Sequence, residues 1–259
     1  MGQSKFFCGI DQKEITFGDY KTRAPLFMQK VHLMGGIFLA DYDAVRRFVP
    51  SIYHPIKVLF RKALVSINAI EYGETDVGPY NEVAISVLIS PPDGPFPFIV
   101  REITSTLMKS FHSYVLELPV DTDISVQGGR EIFDFPKFLT DISFRDVGGH
   151  RICTLREKEN LDLILEIECR TIKTYYHPQN GSLDTMTINT YPPSGETSKR
   201  GRVHINHIEK GMKFFLPYTS IRFGKHKLAN RLRELNIGHP IMYIFSPQSE
   251  AILSIPEGP

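Results

Sequence analysis

Residues 129–137 read Gly129-Arg130-Glu131-Ile132-Phe133-Asp134-Phe135-Pro136-Lys137, and Phe138 follows directly. One lysine therefore stands among three phenylalanines and a proline. Apolar surroundings disfavour the ammonium form of a lysine and lower its pKa. A neutral lysine amine can attack a ketone and form a Schiff base. This segment therefore makes Lys137 a candidate nucleophile; the alternative is a lysine that lays its stem over an aromatic surface and keeps its charge in water.

The composition describes a chain that can bury a sizeable core. It has 259 residues with 42% hydrophobic content, and its 30 basic and 29 acidic side chains give a net charge of +1. This near balance argues against nucleic acid or an anionic membrane as a partner. We expect no membrane span, because no apolar run reaches the required length. Sparse cysteines (Cys8, Cys153 and Cys169) and no secretory signal in Met1–Asp11 predict a cytoplasmic protein.

Strands outnumber helices in the hydrophobic pattern. The predicted strands are Ala63–Ile70, Glu82–Ile89, His112–Leu118, Ile124–Phe133, Phe138–Phe144, Arg151–Arg156 and Leu161–Thr174. Helices are predicted at Phe98–Ser110 and Lys225–Leu235, and a short helix or turn at Tyr42–Val49. The predicted loops are Ser90–Pro97 and Tyr191–Arg202. Short turns rather than regular crossover helices separate the strands, which favours an antiparallel α+β fold in one domain spanning residues 1–259. Such a sheet, if it is curled or closed, encloses a pocket.

Carboxylates near the lysine are the next candidates. Glu82 stands just before an apolar run, where it serves as a proton donor or acceptor or, alternatively, as an edge charge in water. In an extended segment Phe133 and Phe135 share a face with Lys137. Arg130 and Glu131 are adjacent, so in a strand they point to opposite faces, one toward the pocket and one toward a structural partner.

Two further constellations give weaker indications. His204 and His207 have a spacing that zinc ligands can use, but no third ligand accompanies them, so we predict no metal site. Basic residues also gather at one segment, where a solvated helix face explains them better than phosphate binding. These residues are Arg222, Lys225, Lys227, Arg231 and Arg233.

The segment around Lys137 resembles the signature of the acetoacetate decarboxylase family, in which Gly-Arg-Glu is followed by a short apolar spacer and Pro-Lys. Asn81-Glu82 after a tyrosine resembles a second landmark of that family. A third likeness is the segment Asp43–Pro50, which ends in Val-Pro. The order and spacing of the three landmarks agree, and the resemblance covers roughly residues 25 to 240.

The resemblance implies a mostly antiparallel β-barrel or cone with flanking helices around a cavity, usually in a homo-oligomer. Lys137 would be the Schiff-base lysine and Glu82 the acidic residue of the cavity. Arg130, Glu131, Phe135 and Phe138 would shape the substrate site. No metal and no organic cofactor is implied, because the lysine itself supplies the electron sink.

The chain departs from the family pattern in four places. Phe138 stands where the family has a second lysine after the nucleophile, and Asn68 stands about where the family has a second cavity glutamate. Lys30–Leu33 offers no counterpart of the cavity arginine, and Asp134 stands where a glycine is common. We expect a Schiff-base lyase of the acetoacetate or β-keto acid decarboxylase kind, acting on a small keto acid or another carbonyl compound. The alternatives are aldol or dehydration chemistry on a larger, less polar carbonyl compound through the same lysine, and a non-catalytic ligand-binding barrel.

Overall fold

The computed structural model describes residues 4–90, 110–176, 182–191 and 199–257, and the statements below refer to these residues. The strands are β1 (Lys13–Phe17), β2 (Tyr20–Ala24), β3 (Leu26–Asp41), β4 (Lys57–Val58), β5 (Lys62–Thr75), β6 (Tyr80–Ile89), β7 (Ser110–Val120), β8 (Lys137–Leu139), β9 (Asp141–Val147), β10 (His150–Arg156), β11 (Leu163–Arg170), β12 (Tyr175–Tyr176), β13 (Ser182–Thr190), β14 (Lys199–Phe214), β15 (Thr219–Phe223) and β16 (Pro240–Glu257). The α-helices are α1 (Tyr42–Phe48), α2 (Asp123–Phe133) and α3 (Lys227–Glu234).

Seven of the described strands close into a barrel. Their order is β14, β13, β7, β6, β5, β3 and β16, and β16 pairs again with β14. Every neighbouring pair in this ring is antiparallel except β7 and β13, which are parallel. The short strand β8 also runs parallel to β7, beside its C-terminal end. Closure leaves the barrel interior as an enclosed space lined by alternate residues of each strand.

Alternation along β5 and β6 separates the two sides of the barrel wall. Side chains that face inward line a cavity, and on these strands they are Ser66, Asn68, Ile70, Tyr72, Tyr80, Glu82, Ala84 and Ser86. Those between them face outward into the main hydrophobic core, and they are Val65, Ile67, Ala69, Val83, Ile85 and Val87. The wall is therefore buried on both faces.

A second sheet covers the outer face of the wall. It has the order β15, β11, β10 and β9, and its apolar residues join the main core together with those of α3. Leu228, Ala229 and Leu232 form the buried stripe of α3, and the His226 ring accepts a hydrogen bond from the backbone N–H of Leu228 at the start of the helix. This second layer holds the barrel wall rigid from outside, which fixes the direction of the inward side chains.

The α+β barrel that the sequence predicted is confirmed, with strands at Ala63–Ile70, Glu82–Ile89 and His112–Leu118 and a helix within Lys225–Leu235. The predicted helix Phe98–Ser110 and loop Ser90–Pro97 lie almost wholly outside the described residues. The predicted loop Tyr191–Arg202 is wrong at its end, because β14 begins at Lys199; residues 192–198 are not described. No helix in the described ranges has both the length and the apolar character to cross a membrane.

The predicted strand Ile124–Phe133 is wrong, because these residues form α2. The buried residues of α2 are Ser125, Gly128, Gly129 and Phe133. Their spacing of three or four follows a helical period and not the alternation of a strand. Asp134 ends the helix in a left-handed conformation with φ of 53°, and Pro136 cannot continue it. A helix in this place delivers the chain directly into β8 and Lys137.

Candidate active site

Lys137 and Glu82 form a buried pair in the wall of the barrel cavity. Lys137 begins β8 and pairs with Leu118 of β7, while Glu82 lies on β6 at the other side of β7 and pairs with Val120. The Lys137 Nζ donates a hydrogen bond to Glu82 Oε2 at 2.8 Å. Only 6% of the lysine side chain and 9% of the glutamate side chain are exposed. The structure therefore brings together the two residues that the sequence proposed as nucleophile and proton-transfer partner.

Aromatic rings surround the lysine amine. The Nζ lies 5.2 Å from the centre of the Tyr80 ring and 5.9 Å from that of Phe135. Phe135 stacks on Phe133 with ring centroids 5.0 Å apart. The faces of such rings stabilise a positive charge on a nitrogen by cation–π attraction. This environment suits a nitrogen that carries positive charge as an ammonium ion and again as an iminium ion.

Gly129 gives the lysine stem its place against α2. A Cβ atom at position 129 would lie 2.4 Å from Cδ and 2.8 Å from Cε of Lys137. Atoms of this kind do not approach so closely, so any side chain at position 129 displaces the lysine stem. The glycine of the Gly-Arg-Glu segment is thus required by contact with the lysine eight residues later.

Arg130 acts on the backbone of the lysine. Its Nε donates to the carbonyl oxygen of Lys137 at 2.7 Å, which ties α2 to the start of β8. Glu131 is exposed on the far side, where it accepts hydrogen bonds from the backbone N–H of Gly18 and from the Gln127 side chain. The expectation that these two residues alternate across a strand is wrong because α2 is a helix. Neither residue lines the cavity.

Phe135 and Phe138 take different positions although the sequence suggests the same role for both. Phe135 lines the cavity beside Lys137. Phe138 turns away, because successive side chains of a strand point to opposite faces. Its ring stacks on His226 with centroids 5.8 Å apart and packs against the main core. Phe138 therefore supports the wall from outside and does not line the cavity.

Two tyrosines complete the site, although the sequence predicted no role in it for either of them. Tyr72 and Tyr80 are a cross-strand pair on β5 and β6, with ring centroids 4.5 Å apart, and both line the cavity. Burial and the nearby charge of Glu82 raise the pKa of both phenols well above the ordinary value. Both hydroxyls thus stay protonated and can donate hydrogen bonds. The sequence does contain one signal for Tyr80: it lies two residues before Glu82 on β6, so both side chains point to the same face of the strand.

The cavity beside this pair has a volume of ≈ 140 Å³. For comparison, an apolar cavity of about 150 Å³ binds benzene, so a small organic molecule fits. Its wall is mainly aliphatic and aromatic, with Ser66 and Asn68 as uncharged polar groups that hydrogen-bond to each other at 2.8 Å. No arginine occurs among the described residues that line it. A second polar group, on β13 and β14, also lines the same cavity.

The two histidines considered as zinc ligands contact different residues. His204 Nδ1 lies 3.1 Å from the Thr185 hydroxyl, and His207 Nε2 lies 3.1 Å from Asp184 Oδ2. Within the described part of the chain no group of three or more histidine, cysteine, aspartate or glutamate side chains could hold a metal ion.

The fold and the site together define a class: an α+β protein whose closed barrel holds a buried lysine–glutamate pair in the wall of a mainly apolar cavity. Residues 16–193 match the family model of acetoacetate decarboxylase (ADC), and the chain belongs to this family. A comparison with curated protein sequences gave no match.

Several solved structures share the fold. The acetoacetate decarboxylase of Legionella pneumophila subsp. pneumophila str. Philadelphia 1 is 15% identical, with a TM-score of 0.62 over 90% of this chain and 86% of that chain. The enduracididine biosynthesis enzyme MppR complexed with pyruvate is 12% identical, with a TM-score of 0.60 over 90% and 88%. An acetoacetate decarboxylase-like enzyme from Sphingomonas wittichii RW1 is 9% identical, with a TM-score of 0.53 over 90% and 92%. At these identities the likeness concerns the fold.

Proposed function

We propose that this protein is a Schiff-base enzyme that acts on a β-keto acid or a related carbonyl compound, with Lys137 as nucleophile and Glu82 as proton-transfer group. The observation that carries the proposal is the buried hydrogen bond of 2.8 Å between Lys137 Nζ and Glu82 Oε2, in the wall of an apolar cavity. Membership of the acetoacetate decarboxylase family supports the same chemistry.

The pair can generate the nucleophile within the site. Two opposite charges buried together are costly unless their attraction offsets the loss of hydration. A proton moving from Lys137 to Glu82 over their hydrogen bond leaves a neutral amine beside a neutral carboxyl group. The amine then attacks the substrate carbonyl carbon, and the carbonyl oxygen becomes the hydroxyl of a carbinolamine. Glu82 returns its proton to that hydroxyl, water leaves, and an iminium ion remains on Lys137.

The iminium nitrogen supplies the electron sink for bond cleavage. In a β-keto acid, the bond to the carboxylate breaks and its electron pair moves to the iminium, which gives an enamine and carbon dioxide. A proton from water then adds to the α-carbon. The hydroxide that remains adds to the regenerated iminium, and the carbinolamine breaks down to a ketone and free Lys137. Tyr80 and Phe135 hold the positive nitrogen by cation–π attraction in the ammonium and iminium stages.

The four remaining site residues that the sequence predicted have supporting roles of two kinds. Arg130 holds the Lys137 carbonyl and so sets where the side chain leaves β8. Phe135 covers one side of the amine. Glu131 supports the β1–β2 hairpin through Gly18, and Phe138 supports the wall through His226. We assign the first two to the geometry of the site and the last two to the stability of its frame.

Aldol or dehydration chemistry through the same lysine is the second candidate. No arginine lines the cavity among the described residues, which weakens the binding of a substrate carboxylate. One structure that shares the fold is MppR with the condensation product of pyruvate and imidazole 4-carboxaldehyde. An enamine formed on Lys137 by loss of an α-proton to Glu82 would attack the aldehyde carbon. The proton held by Glu82 would then move to the aldehyde oxygen, which becomes a hydroxyl group. The apolar cavity favours a carbonyl substrate larger and less polar than acetoacetate.

Trapping of the iminium tests the covalent step. The protein is incubated with acetoacetate, pyruvate and longer ketones, reduced with borohydride and digested, and the mass of the Lys137 peptide is measured. We expect a reduced adduct on Lys137 in the wild type and none in Lys137→Met. Exposed Lys213 supplies the matched control Lys213→Met, which keeps the adduct. Absence of an adduct with every carbonyl compound favours the non-catalytic binding barrel.

A further inference from the structure

A second polar group lines the cavity away from the lysine–glutamate pair in the sequence and in the sheet. Asp184 lies on β13 and His207 and Lys210 lie on β14, and all three line the same cavity as Lys137. Lys210 Nζ donates to Asp184 Oδ2 at 2.5 Å, and the same oxygen lies 3.1 Å from His207 Nε2. The reaction proposed above makes no use of these three residues.

Lys210 retains hydrogen-bonding capacity that the protein does not fill. Its side chain is only 7% exposed. An ammonium group carries three donors, and in the described part of the chain the bond to Asp184 is the one hydrogen bond that Lys210 Nζ makes. A buried donor without an acceptor costs about 1–3 kcal/mol, and more when it is charged. Two N–H donors of Lys210 are therefore available to an acceptor inside the cavity.

The charge of this group is already balanced. Burial raises the pKa of Asp184, but the hydrogen bond from His207 and the charge of Lys210 outweigh that effect and hold the pKa below its ordinary value. Asp184 is thus a carboxylate at neutral pH and compensates the ammonium of Lys210. A second carboxylate would meet repulsion from Asp184, whereas an uncharged oxygen meets only the free donors. A hydroxyl group can in addition donate to Asp184.

Packing behind the group holds it in place. His207 Nδ1 lies 2.9 Å from Ser246 Oγ and 3.0 Å from Ser249 Oγ, and both serines are buried outside the cavity lining. Because neither serine lines the cavity, this serine–histidine–aspartate arrangement offers no nucleophile to a ligand. Its effect is to fix the imidazole, which in turn fixes the Asp184 carboxylate that receives Lys210.

We propose that Lys210 and Asp184 form a distal subsite that binds an uncharged hydroxyl or carbonyl oxygen of the substrate. The substrate class is a carbonyl compound with an apolar middle and an oxygen function at the end remote from the reacting carbonyl. The inference deepens the proposed function, since it rests on Lys137 as the group that meets the first carbonyl. The apolar wall between the two polar groups accommodates the middle of such a molecule.

Equilibrium binding tests the subsite through the difference between paired ketones, because any reversible Schiff base on Lys137 contributes to both members of a pair. Straight-chain methyl ketones from 2-pentanone to 2-nonanone, each paired with its ω-hydroxy and ω-carboxy counterparts, are titrated into the wild-type protein by calorimetry. At the chain length that reaches Lys210, the ω-hydroxy ketone is expected to bind about tenfold tighter than the plain ketone. This is about the gain in affinity that one hydrogen bond from a charged donor provides. No gain at any length overturns the proposal, as does a larger gain from the ω-carboxylate.

Variants assign the gain to Lys210. In Lys210→Met the ω-hydroxy ketone is expected to lose its advantage, while the plain ketone binds within about twofold of its wild-type affinity, because a volume-conserving change keeps the wall. Lys213→Met makes the same substitution on the same strand at an exposed position and is expected to keep the gain. If Lys210→Met does not fold, Lys210→Met/Asp184→Asn removes both charges together. A gain that survives removal of Lys210 overturns the assignment.

Borohydride trapping on the same ketones separates this inference from the proposed function. A selective gain through Lys210 with no adduct on Lys137 would retain the subsite and reject the Schiff-base enzyme. Adducts on Lys137 that form equally well with plain and ω-hydroxy ketones of every length would retain the enzyme and reject the subsite.

Discussion

Gly129 and Lys137 lie against each other so closely that α2 has no room for a side chain at position 129. An added Cβ would lie 2.4 Å from Cδ of the lysine and 3.1 Å from Cγ. The helix thus presses on the middle of the lysine stem, and the stem in turn reaches Glu82. The position of the amine depends on the absence of one methyl group.

Gly129→Ala is therefore expected to separate stability from chemistry. Alanine favours a helix over glycine by up to about 1 kcal/mol, so the free energy of unfolding is expected to change little or to rise if the stem can move aside. Displacement of the stem breaks the hydrogen bond to Glu82, and we expect adduct formation to fall by at least about tenfold, as expected when a reacting group is misplaced. Chemical unfolding and the rate of borohydride trapping measure the two effects.

Gly128→Ala is the matched control. The same change one residue earlier places its Cβ against the Phe17 ring and not against Lys137. Trapping is expected to stay near the wild-type rate. Equal losses of trapping in both variants would show that α2 as a whole, and not its contact with Lys137, determines the effect.

Because Lys137 and Glu82 form a buried pair, substitutions of the two residues are expected to have strongly non-additive effects on the free energy of unfolding. Lys137→Met leaves the Glu82 carboxylate without its partner, and removal of one member of a buried ion pair costs about 3–5 kcal/mol. Lys137→Met/Glu82→Gln removes both charges and is expected to be more stable than Lys137→Met alone. Urea unfolding of wild type, both single variants and the double variant measures the coupling; additive losses would contradict a direct interaction.

Glu82→Gln tests the role of the carboxylate in proton transfer. A general acid or base contributes typically about 10²–10⁴-fold to a rate, so the rate of iminium formation is expected to fall by a factor in that range while Lys137 remains. Asn81→Asp, one residue earlier and partly buried beside Asp121, is not a suitable control because it adds a like charge. The control is Ala84→Ser, because Ala84 lines the cavity on the same strand and the substitution changes no charge. A Glu82→Gln rate near wild type would remove Glu82 from the mechanism.

His32 predicts a loss of stability in acid. Burial and then the charge of Arg151, opposed by Asp146, lower its pKa from 6.5 to about 4. The unfolded chain thus takes up a proton at His32 at a higher pH than the folded chain does. The free energy of unfolding is consequently expected to fall as the pH drops from 6.5 toward 4.

His32→Phe is expected to weaken that pH dependence. Within the described residues His32 Nε2 is buried without a hydrogen-bond partner, and its ring packs edge-on against Phe245, a contact that phenylalanine can keep. Urea unfolding at several pH values between 7 and 4 measures the slope. His239→Phe removes an exposed histidine as a control. A His32→Phe slope equal to that of the wild type would assign the acid sensitivity to other groups.

Much of the barrel could be predicted from the sequence, because β5 and β6 are long Val- and Ile-rich segments bounded by turn residues. Which side chains of these strands face the cavity could not be predicted. The second sheet buries their outer face, so inward Ile70 and outward Ile67 look alike in hydrophobicity. This double burial hid Tyr72 and Tyr80, whereas Lys137 and Glu82 stood out through the motif that contains them.

The sequence of segment 124–133 is misleading for a related reason. Its glycines and alternating apolar residues weaken the helical pattern, and the glycine that matters most is there for Lys137 and not for the helix. Lys210 could not be found either, since its pairing with Asp184 depends on the register of β13 and β14. Residues far apart in sequence become a site only after strand pairing fixes their neighbours.

Phe138→Lys tests whether a second lysine after Lys137 would activate it in this protein. Phe138 points away from the cavity and stacks on His226, so a lysine at this position would carry its charge to the outer side of the wall. We expect no increase in the rate of borohydride trapping, and a loss of about 1–3 kcal/mol in the free energy of unfolding, as is common when packing is lost beside a core. Phe138→Leu, which keeps an apolar side chain, is expected to lose less. Faster trapping in Phe138→Lys than in Phe138→Leu would show that a charge at position 138 acts on Lys137 across the strand. Desolvation and Glu82 would then not be the main means by which this site controls its amine.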